Sequence, residues 1–183
     1  MDDKLTVLVI DDELDVNNEI FEVIKETGFY NVIKAYSGKE ALYVLEHASA
    51  DIIFLDIKMP DMWGIDVLKE LKKKHPDTAV IMLTALSEAK YAWEAAEAGA
   101  FDYMTKPFDR TDLLFKLKKA GEFLSRENQE KEKWNLFEEV QNCAKTNPDR
   151  LYRFWDEIGF AKGTKNLAEL KLSKVKEIFE KTK

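Results

Sequence analysis

Five side chains suited to metal or phosphate chemistry each follow an apolar run of four to six residues. In an open parallel sheet the carboxyl ends of the strands meet at one edge, so groups that follow different strands can converge there. An edge with several carboxylates, one hydroxyl and one ammonium group suits a divalent cation and a phosphoryl group. The five residues are Asp11, Asp12, Asp56, Thr84 and Lys106.

The pattern of apolar residues predicts the elements that would bring these groups together. Run 5–10 is rich in β-branched residues and apolar on both faces, which is typical of a buried parallel strand. Val16 and Ile20 then begin a helical spacing that Gly28 ends, and Ser37 with Glu40 forms a capping box at the start of a second helix. The other predicted strands are 32–35, 51–55, 79–83 and 101–105, and the other predicted helices begin near residues 64, 88 and 110. Five β-α units with right-handed crossovers predict an α/β fold, a five-stranded doubly wound parallel sheet.

Composition narrows the class of protein. The 183 residues are 45% hydrophobic and 34% charged, which suits one domain with an appendage. The net charge is −7, with 15 Lys/Arg against 24 Asp/Glu in residues 1–124 and 13 against 11 in residues 125–183. The acidic part argues against non-specific nucleic-acid binding there. Cys143 is the only cysteine, and no apolar stretch reaches membrane-spanning length, so we expect a cytoplasmic protein without a membrane contact.

Four segments resemble the receiver domain of two-component response regulators. The resemblance covers about residues 4–124, in the right order and at the right separations. It implies a flavodoxin-like receiver with strand order 2-1-3-4-5. The segments are VLVIDDE (7–13), DIIFLDIKMPDMWG (51–64), VIMLTA (80–85) and GAFDYMTKPF (99–108).

The resemblance implies a phosphoryl acceptor and a metal site. Asp56 would take the phosphoryl group from a histidine of a sensor kinase or of a phosphotransfer protein. Asp11, Asp12 and Asp56 would hold Mg²⁺ (or Mn²⁺) together with the backbone carbonyl of Lys58. Clustered carboxylates repel one another, so a bound cation would relieve that repulsion and neutralise the incoming phosphoryl oxygens.

The resemblance also implies a switch. Lys106 would pair with the phosphoryl group, and Thr84 would donate its hydroxyl to a phosphoryl oxygen once Asp56 is modified. Tyr103 would then turn inward towards Thr84, although a half-buried strand tyrosine without such a role is the simpler alternative. Pro107, a candidate for a cis peptide bond, and Ala85 would support this arrangement.

Two further positions tune the lifetime of the phosphorylated state in this family, here Lys58 and Leu86. An apolar Leu86 should hinder the approach of water, whereas Lys58 would either pair with the phosphoryl group or face solvent. We therefore expect slow self-hydrolysis; a half-life of seconds for the isolated phosphoprotein would contradict this.

The chain is expected to divide into a receiver domain (1–124), a polar helical linker (125–135) and a small helical output or interaction region (136–183). The last region would contact a protein partner or a second copy of the chain. A minimal helix-turn-helix formed by 151–158 and 166–181 is the alternative, and it would make the protein a DNA-binding transcription regulator. No separate enzymatic output is expected, only self-phosphorylation from phosphodonors and its reversal.

The last receiver helix suggests a dimer contact. Its apolar stripe is wider than one face of a sheet demands, so part of it could mediate a homodimer through the last helix and strand. The alternative, to which the sequence gives equal weight, is that the whole stripe is buried against the sheet. The stripe consists of Leu113, Leu114, Leu117, Ala120, Phe123 and Leu124.

Overall fold

A computed structural model of the chain describes residues 4–85 and 89–147, together with residues 177, 180 and 181. Strands and helices alternate through these residues. In chain order they are β1 (Thr6–Ile10), α1 (Leu14–Glu26), β2 (Asn31–Ala35), α2 (Gly38–His47), β3 (Ile52–Asp56), α3 (Gly64–Lys74), β4 (Ala79–Thr84), α4 (Ala89–Glu97), β5 (Asp102–Thr105) and α5 (Arg110–Thr146). Within the described parts the predicted elements are present, with bounds that differ by one or two residues.

The sheet has five parallel strands in the order β2-β1-β3-β4-β5, which confirms the predicted fold class and strand order. β3 and β4 are buried along their whole length. Their continuous runs of Ile, Leu, Val and Met are explained by helices on both faces, because neither face meets water.

Two apolar clusters lie on opposite faces of the sheet. On one face α2, α3 and α4 cover the strands, with Leu68 and Leu71 among the buried contacts. On the other face α1 and α5 pack through residues such as Ile20 and Leu117, around the fully buried Phe54. Side chains of one strand alternate between the two clusters, as the two-residue period of a strand requires.

The capping box at the start of α2 forms with a shift of one residue in one of its two bonds. The Ser37 hydroxyl accepts a hydrogen bond from the backbone N–H of Glu40 at 3.1 Å. The Glu40 carboxylate accepts from the N–H of Tyr36 at 2.7 Å, one residue before the expected partner. The bond to Ser37 pairs an N–H group of the first turn that the helix itself leaves unsatisfied.

α5 is the longest of the described helices. It covers the predicted linker 125–135 as helix, and contacts between residues divide the chain into two units with a boundary after Ser125. The predicted helices 151–158 and 166–181 lie outside the described residues, apart from three isolated positions. No helix among the described residues has both the length and the apolar character needed to cross a membrane.

Candidate functional site

The five groups singled out in the sequence lie at the carboxyl edge of the sheet. Asp56 ends β3 opposite Leu83 of β4, and Thr84 ends β4 opposite Thr105 of β5. The turn after β5 is tied to β4, because the N–H of Lys106 donates to the carbonyl of Thr84 at 2.7 Å. Parallel register therefore places an acid, a hydroxyl and a lysine side by side, although they come from three separate strands.

One ammonium group joins three carboxylates at this edge. The Nζ atom of Lys106 lies 2.6 Å from Oδ2 of Asp11, 2.7 Å from Oδ1 of Asp56 and 3.0 Å from Oε1 of Glu13. The side chains of Lys106, Asp11 and Asp56 are 10%, 0% and 6% exposed, whereas that of Glu13 is 62% exposed. Two of the three ion pairs are therefore shielded from water, and the third is at the surface.

The pKa values of Asp11 and Lys106 are both raised, but for different reasons. Burial raises the pKa of Asp11, and the hydrogen bonds from Lys106 and from the N–H of Glu13 offset this rise only in part. Burial would lower the pKa of Lys106, but the hydrogen bonds to Asp11 and Asp56 outweigh it and hold the pKa above its usual value. The lysine is thus a permanent cation, while the neighbouring acid is short of compensating charge.

The second oxygen of the Asp56 carboxylate is held by the loop that follows β3. The N–H of Lys58 donates to Oδ2 of Asp56 at 2.6 Å. The loop closes on itself, since Lys58 pairs with Trp63 in an isolated antiparallel bridge and the N–H of Gly64 donates to the carbonyl of Ile57 at 2.8 Å. A Cβ atom at Gly64 would overlap the backbone oxygen of Asp56, so only glycine fits where α3 begins.

The same loop is fastened to the start of α2. The carboxylate of Asp61 accepts from the N–H groups of Gly38 at 3.2 Å and Lys39 at 3.0 Å. A Cβ atom at Gly38 would stand 2.9 Å from Met62 and from Val67, so glycine permits this close approach. The negative carboxylate at a helix N-terminus is favourable because unpaired N–H groups and the helix dipole meet there.

Sequence reasoning missed two residues that shape the turn after β1. The Nδ2 group of Asn17 donates to the carbonyls of Asp11 at 3.1 Å and Ala35 at 2.9 Å, which ties the turn to β2. Glu13 contacts Lys106, which is 93 residues away in the chain. The third acid of the segment Asp11-Asp12-Glu13 was visible, but a contact over that distance carries no local sequence signal.

The remaining predicted site residues have the following positions. Thr84 is 5% exposed, Tyr103 is 50% exposed with its ring centroid 6.0 Å from Nζ of Lys116, and the Lys106–Pro107 peptide bond is cis. Ala85 and the side chain of Lys58 are exposed, and Asp12 is half-buried. Leu86 lies outside the described residues, so its predicted effect on phosphate lifetime stays a prediction.

The carboxylates at this edge suit a magnesium ion, for which Asp11, Asp12 and Asp56 are the predicted acidic ligands, and Glu13 adds further negative charge nearby. Asp11, Glu13 and Asp56 contribute three carboxylates against the single ammonium of Lys106, so the cluster keeps excess negative charge. Hard divalent cations prefer such oxygen ligands, and the raised pKa of Asp11 marks the charge that a cation would neutralise. Among the described residues, no three acidic, histidine or cysteine side chains stand together as a ready-made cage.

Comparison with known proteins assigns a family to this arrangement. The family described as "Response regulator receiver domain" matches residues 7–118. The transcriptional regulatory protein ZraR of Salmonella typhimurium is 38% identical over 117 residues, which are 64% of this chain and 26% of that protein. The chemotaxis protein CheY of Listeria monocytogenes is 33% identical over 117 residues, which are 64% of this chain and 98% of that protein.

Solved structures give the same result for the fold. The chemotaxis protein CheY4 of Vibrio cholerae superposes with a TM-score of 0.61 at 28% identity, covering 64% of this chain and 98% of that one. A CheY-like receiver domain protein of Methanospirillum hungatei superposes with a TM-score of 0.65 at 28% identity, covering 68% and 98%. This chain spans only about a quarter of the length of ZraR. The matched residues, the sheet order and these likenesses together establish that the chain belongs to the response regulator receiver domain family of two-component systems.

Proposed function

We propose that this protein is a response regulator whose Asp56 accepts a phosphoryl group from a phosphohistidine of a sensor kinase or phosphotransfer protein. Phosphorylation on an aspartate with Mg²⁺ is a general feature of the family. The observation that carries the proposal for this chain is the shared contact of Lys106 with Asp56 and Asp11 at the carboxyl edge of the sheet. Among the acids of this cluster, Asp56 is the one that ends a central strand.

The reaction transfers a phosphoryl group without any change of oxidation state. A carboxylate oxygen of Asp56 attacks phosphorus in line, the bond from phosphorus to the donor nitrogen breaks, and the donor imidazole leaves with the electron pair. The product is a mixed anhydride. Positioning and charge neutralisation dominate such a step, because the protein supplies little covalent chemistry of its own.

The residues of the cluster have separate tasks in this proposal. Lys106 holds a phosphoryl oxygen, and the N–H of Lys58 steadies the carboxylate oxygen that it already contacts. The hydroxyl of Thr84 then donates to the phosphoryl group, and Tyr103 turns inward from its exposed position. Asp11, Asp12, Asp56 and the carbonyl of Lys58 would hold Mg²⁺ (or Mn²⁺), which when bound neutralises charge on the phosphoryl oxygens.

Labelling with a small phosphodonor tests this proposal. Wild-type protein incubated with acetyl phosphate and Mg²⁺ should gain one phosphoryl group by intact-mass spectrometry, and Asp56→Asn should gain none. Asp66→Asn is the matched control, because Asp66 is an exposed acid in the first turn of α3. Undiminished labelling of Asp56→Asn would contradict the proposal.

The output of the switch is proposed as binding through the region after residue 135, to a protein partner or to a second copy of the chain. Most of the α5 stripe is buried on the sheet, including Leu113, Leu117 and Leu124, which favours the non-dimer alternative for those residues. Phe123 is 41% exposed and packs on Phe101 with ring centroids 5.2 Å apart. The dimer proposal therefore depends on Phe123 and its exposed surroundings rather than on the whole stripe.

A transcription regulator with a DNA-binding C-terminal region is the second candidate. It is favoured by one observation, the names of relatives such as ZraR and the CiaR protein of Streptococcus pneumoniae, both described as transcriptional regulatory proteins. A gel shift on genomic fragments at rising salt separates the candidates, because contacts with DNA phosphates weaken steeply as salt rises. No shift at low salt, with either phosphorylated or unphosphorylated protein, would count against DNA binding.

A further inference from the structure

The contact between Glu13 and Lys106 has no part in the function proposed above. Glu13 stands at the N-cap position of α1, yet its side chain makes no capping hydrogen bond. Its carboxylate instead lies 3.0 Å from Nζ of Lys106. An acid that leaves its own helix end to contact a lysine of the phosphoryl site can affect how that lysine is used.

Three carboxylates already surround the ammonium of Lys106, and Glu13 accepts a hydrogen bond from it at 3.0 Å. An ammonium group carries three N–H bonds, and three carboxylates lie within 3.0 Å of Nζ. A phosphoryl oxygen that approaches Nζ is repelled by all three carboxylates, so its binding is favoured when one of them moves away. The identity of the displaced carboxylate determines how much free energy the exchange costs.

Glu13 is the partner whose loss costs least. Asp11 has no exposed surface, so it needs another counter-ion, such as the proposed Mg²⁺, before it can separate from Lys106. Asp56 is nearly as buried and is itself the group being modified. Glu13 is 62% exposed and its distance to Nζ is the longest of the three, so water can replace the lysine.

Charge supports the same choice. The Glu13 carboxylate and a phosphoryl group are both anions, and the phosphoryl group would arrive at the same ammonium. Two anions on one cation repel each other, and only the exposed side chain of Glu13 is able to turn into solvent. The exchange replaces one charge-assisted hydrogen bond of Lys106 with another.

We infer that Glu13 is an internal competitor for Lys106, occupying in the unphosphorylated protein the position on its ammonium that the phosphoryl oxygen takes. This inference rests on the proposed phosphorylation of Asp56. Glu13 is a positioning residue: it acts through Lys106 and slows phosphorylation by repelling the incoming phosphoryl group until it moves away. The contact also withholds Lys106 from other anions while Asp56 is unmodified.

Matched charge variants test the inference on the full chain. Glu13→Gln keeps the size of the side chain and removes its charge. Asp15→Asn removes one charge from the exposed first turn of the same helix, without a contact to Lys106. We expect the initial rate of labelling by acetyl phosphate to rise about two- to fivefold in Glu13→Gln over Asp15→Asn, the range for an exposed ion pair.

A binding measurement separates competition from a general effect on the reaction. Beryllofluoride, an unreactive phosphoryl mimic, should bind Glu13→Gln about two- to fivefold more tightly than Asp15→Asn by calorimetry with Mg²⁺ present. Equal values for the two variants in both measurements, or slower labelling of Glu13→Gln, would overturn the inference. Comparison of wild type with Asp56→Asn separates a wrong competitor role from a wrong proposed function. If wild type is labelled and Asp56→Asn is not, but Glu13→Gln is labelled no faster than Asp15→Asn, only the competitor role is wrong. If wild type takes no label, both are wrong.

Discussion

Lys106 stabilises two buried carboxylates that would otherwise repel each other. Its ammonium lies within 2.7 Å of an oxygen of Asp11 and of Asp56. The compensation is incomplete, because the pKa of Asp11 stays raised above that of the unfolded chain. A carboxyl group whose pKa is higher in the folded than in the unfolded chain destabilises the folded state when it is ionised. This destabilisation disappears as the pH falls through the pKa of the folded state towards the pKa of the unfolded state.

Removing the charge of Asp11 should therefore stabilise the protein near neutral pH. In magnesium-free buffer, Asp11→Asn should raise the free energy of unfolding at pH 7 by on the order of 1 kcal/mol, the gain common when a destabilised functional site is relieved, since Lys106 keeps Asp56 and Glu13 as partners. The gain should shrink as the pH is lowered towards the ordinary pKa of an aspartate, because the raised pKa makes wild-type Asp11 neutral in the folded protein first. Denaturant unfolding at pH 7 and near pH 4.5 measures both effects.

Magnesium provides the control for this prediction. A ligand that binds only the folded state stabilises it, so saturating Mg²⁺ should raise the unfolding midpoint of wild type and have much less effect on Asp11→Asn. Two results would count against the role assigned to Asp11: a gain that is the same at both pH values, and equal stabilisation of the two proteins by Mg²⁺.

At the scale of elements, the loop between β3 and α3 depends on its attachment to α2. Desolvation would raise the pKa of Asp61, but the hydrogen bonds from the N–H groups of Lys39 and Gly38 outweigh it and hold the pKa below its usual value. The stabilisation from this carboxylate is therefore present above the unfolded pKa and is lost as the pH falls through the folded pKa. The attachment fixes the loop that carries Lys58 and its carbonyl.

Asp61→Asn should loosen this loop without removing any proposed ligand. We expect a loss of about 0.5 kcal/mol in stability at pH 7, the low end for a helix cap, because the side chain is exposed. Magnesium affinity should fall by about tenfold if the carbonyl of Lys58 is a ligand, the low end of the loss that follows removal of outer contacts of metal ligands. Calorimetry on Asp61→Asn and on Asp66→Asn measures this; equal affinities would show that the attachment does not position the carbonyl.

The elements differ in how far the sequence could predict them. Strands β1, β3 and β4 could be predicted because short continuous apolar runs are typical of strands buried on both faces of a parallel sheet. The attachment of Asp61 to α2 could not be predicted, because Asp61 lies 23 residues from Gly38 and 22 residues from Lys39 in the chain. The one-residue shift of the Glu40 bond depends on side-chain rotamers, which the residue spacing leaves open.

At the scale of the whole molecule, β5 and α5 of the receiver carry two exposed aromatic rings and a set of ion pairs that is partly buried. Tyr103 on β5 is half exposed, and Asp102 pairs with Lys116 at 3.2 Å and with Lys119 at 3.4 Å on α5. Phe123 follows on the same helix. This surface adjoins the proposed switch residue Tyr103, so a change at Asp56 could alter what binds there.

Light scattering tests whether this surface joins two copies of the chain. With beryllofluoride and Mg²⁺ the mass of the wild type should shift towards that of a dimer, and Phe123→Ala should weaken the shift by removing apolar contact area. Phe29→Ala is the matched control, because Phe29 is 76% exposed in the turn after α1. An unchanged mass in both states would count against the dimer.

The candidate site was predictable in its members but not in its contacts. Asp11, Asp56, Thr84 and Lys106 could be placed together because each follows a different strand of one parallel sheet. The sequence could not predict that Glu13 contacts Lys106 or that Asn17 holds the turn after β1. Both contacts depend on side-chain conformations in the folded protein. The predictions for Leu86 and for the helices after residue 147 concern residues that the structure does not describe.

The identity of the phosphorylated residue is the central claim, and chemical mapping tests it directly. Protein labelled by acetyl phosphate can be reduced with borohydride, which converts an aspartyl phosphate to homoserine, and the modified peptide can be sequenced by mass spectrometry. We predict homoserine at position 56 alone, and only when Mg²⁺ is present during labelling. Homoserine at position 11 or 12, or labelling that is undiminished without a divalent cation, would contradict the claim.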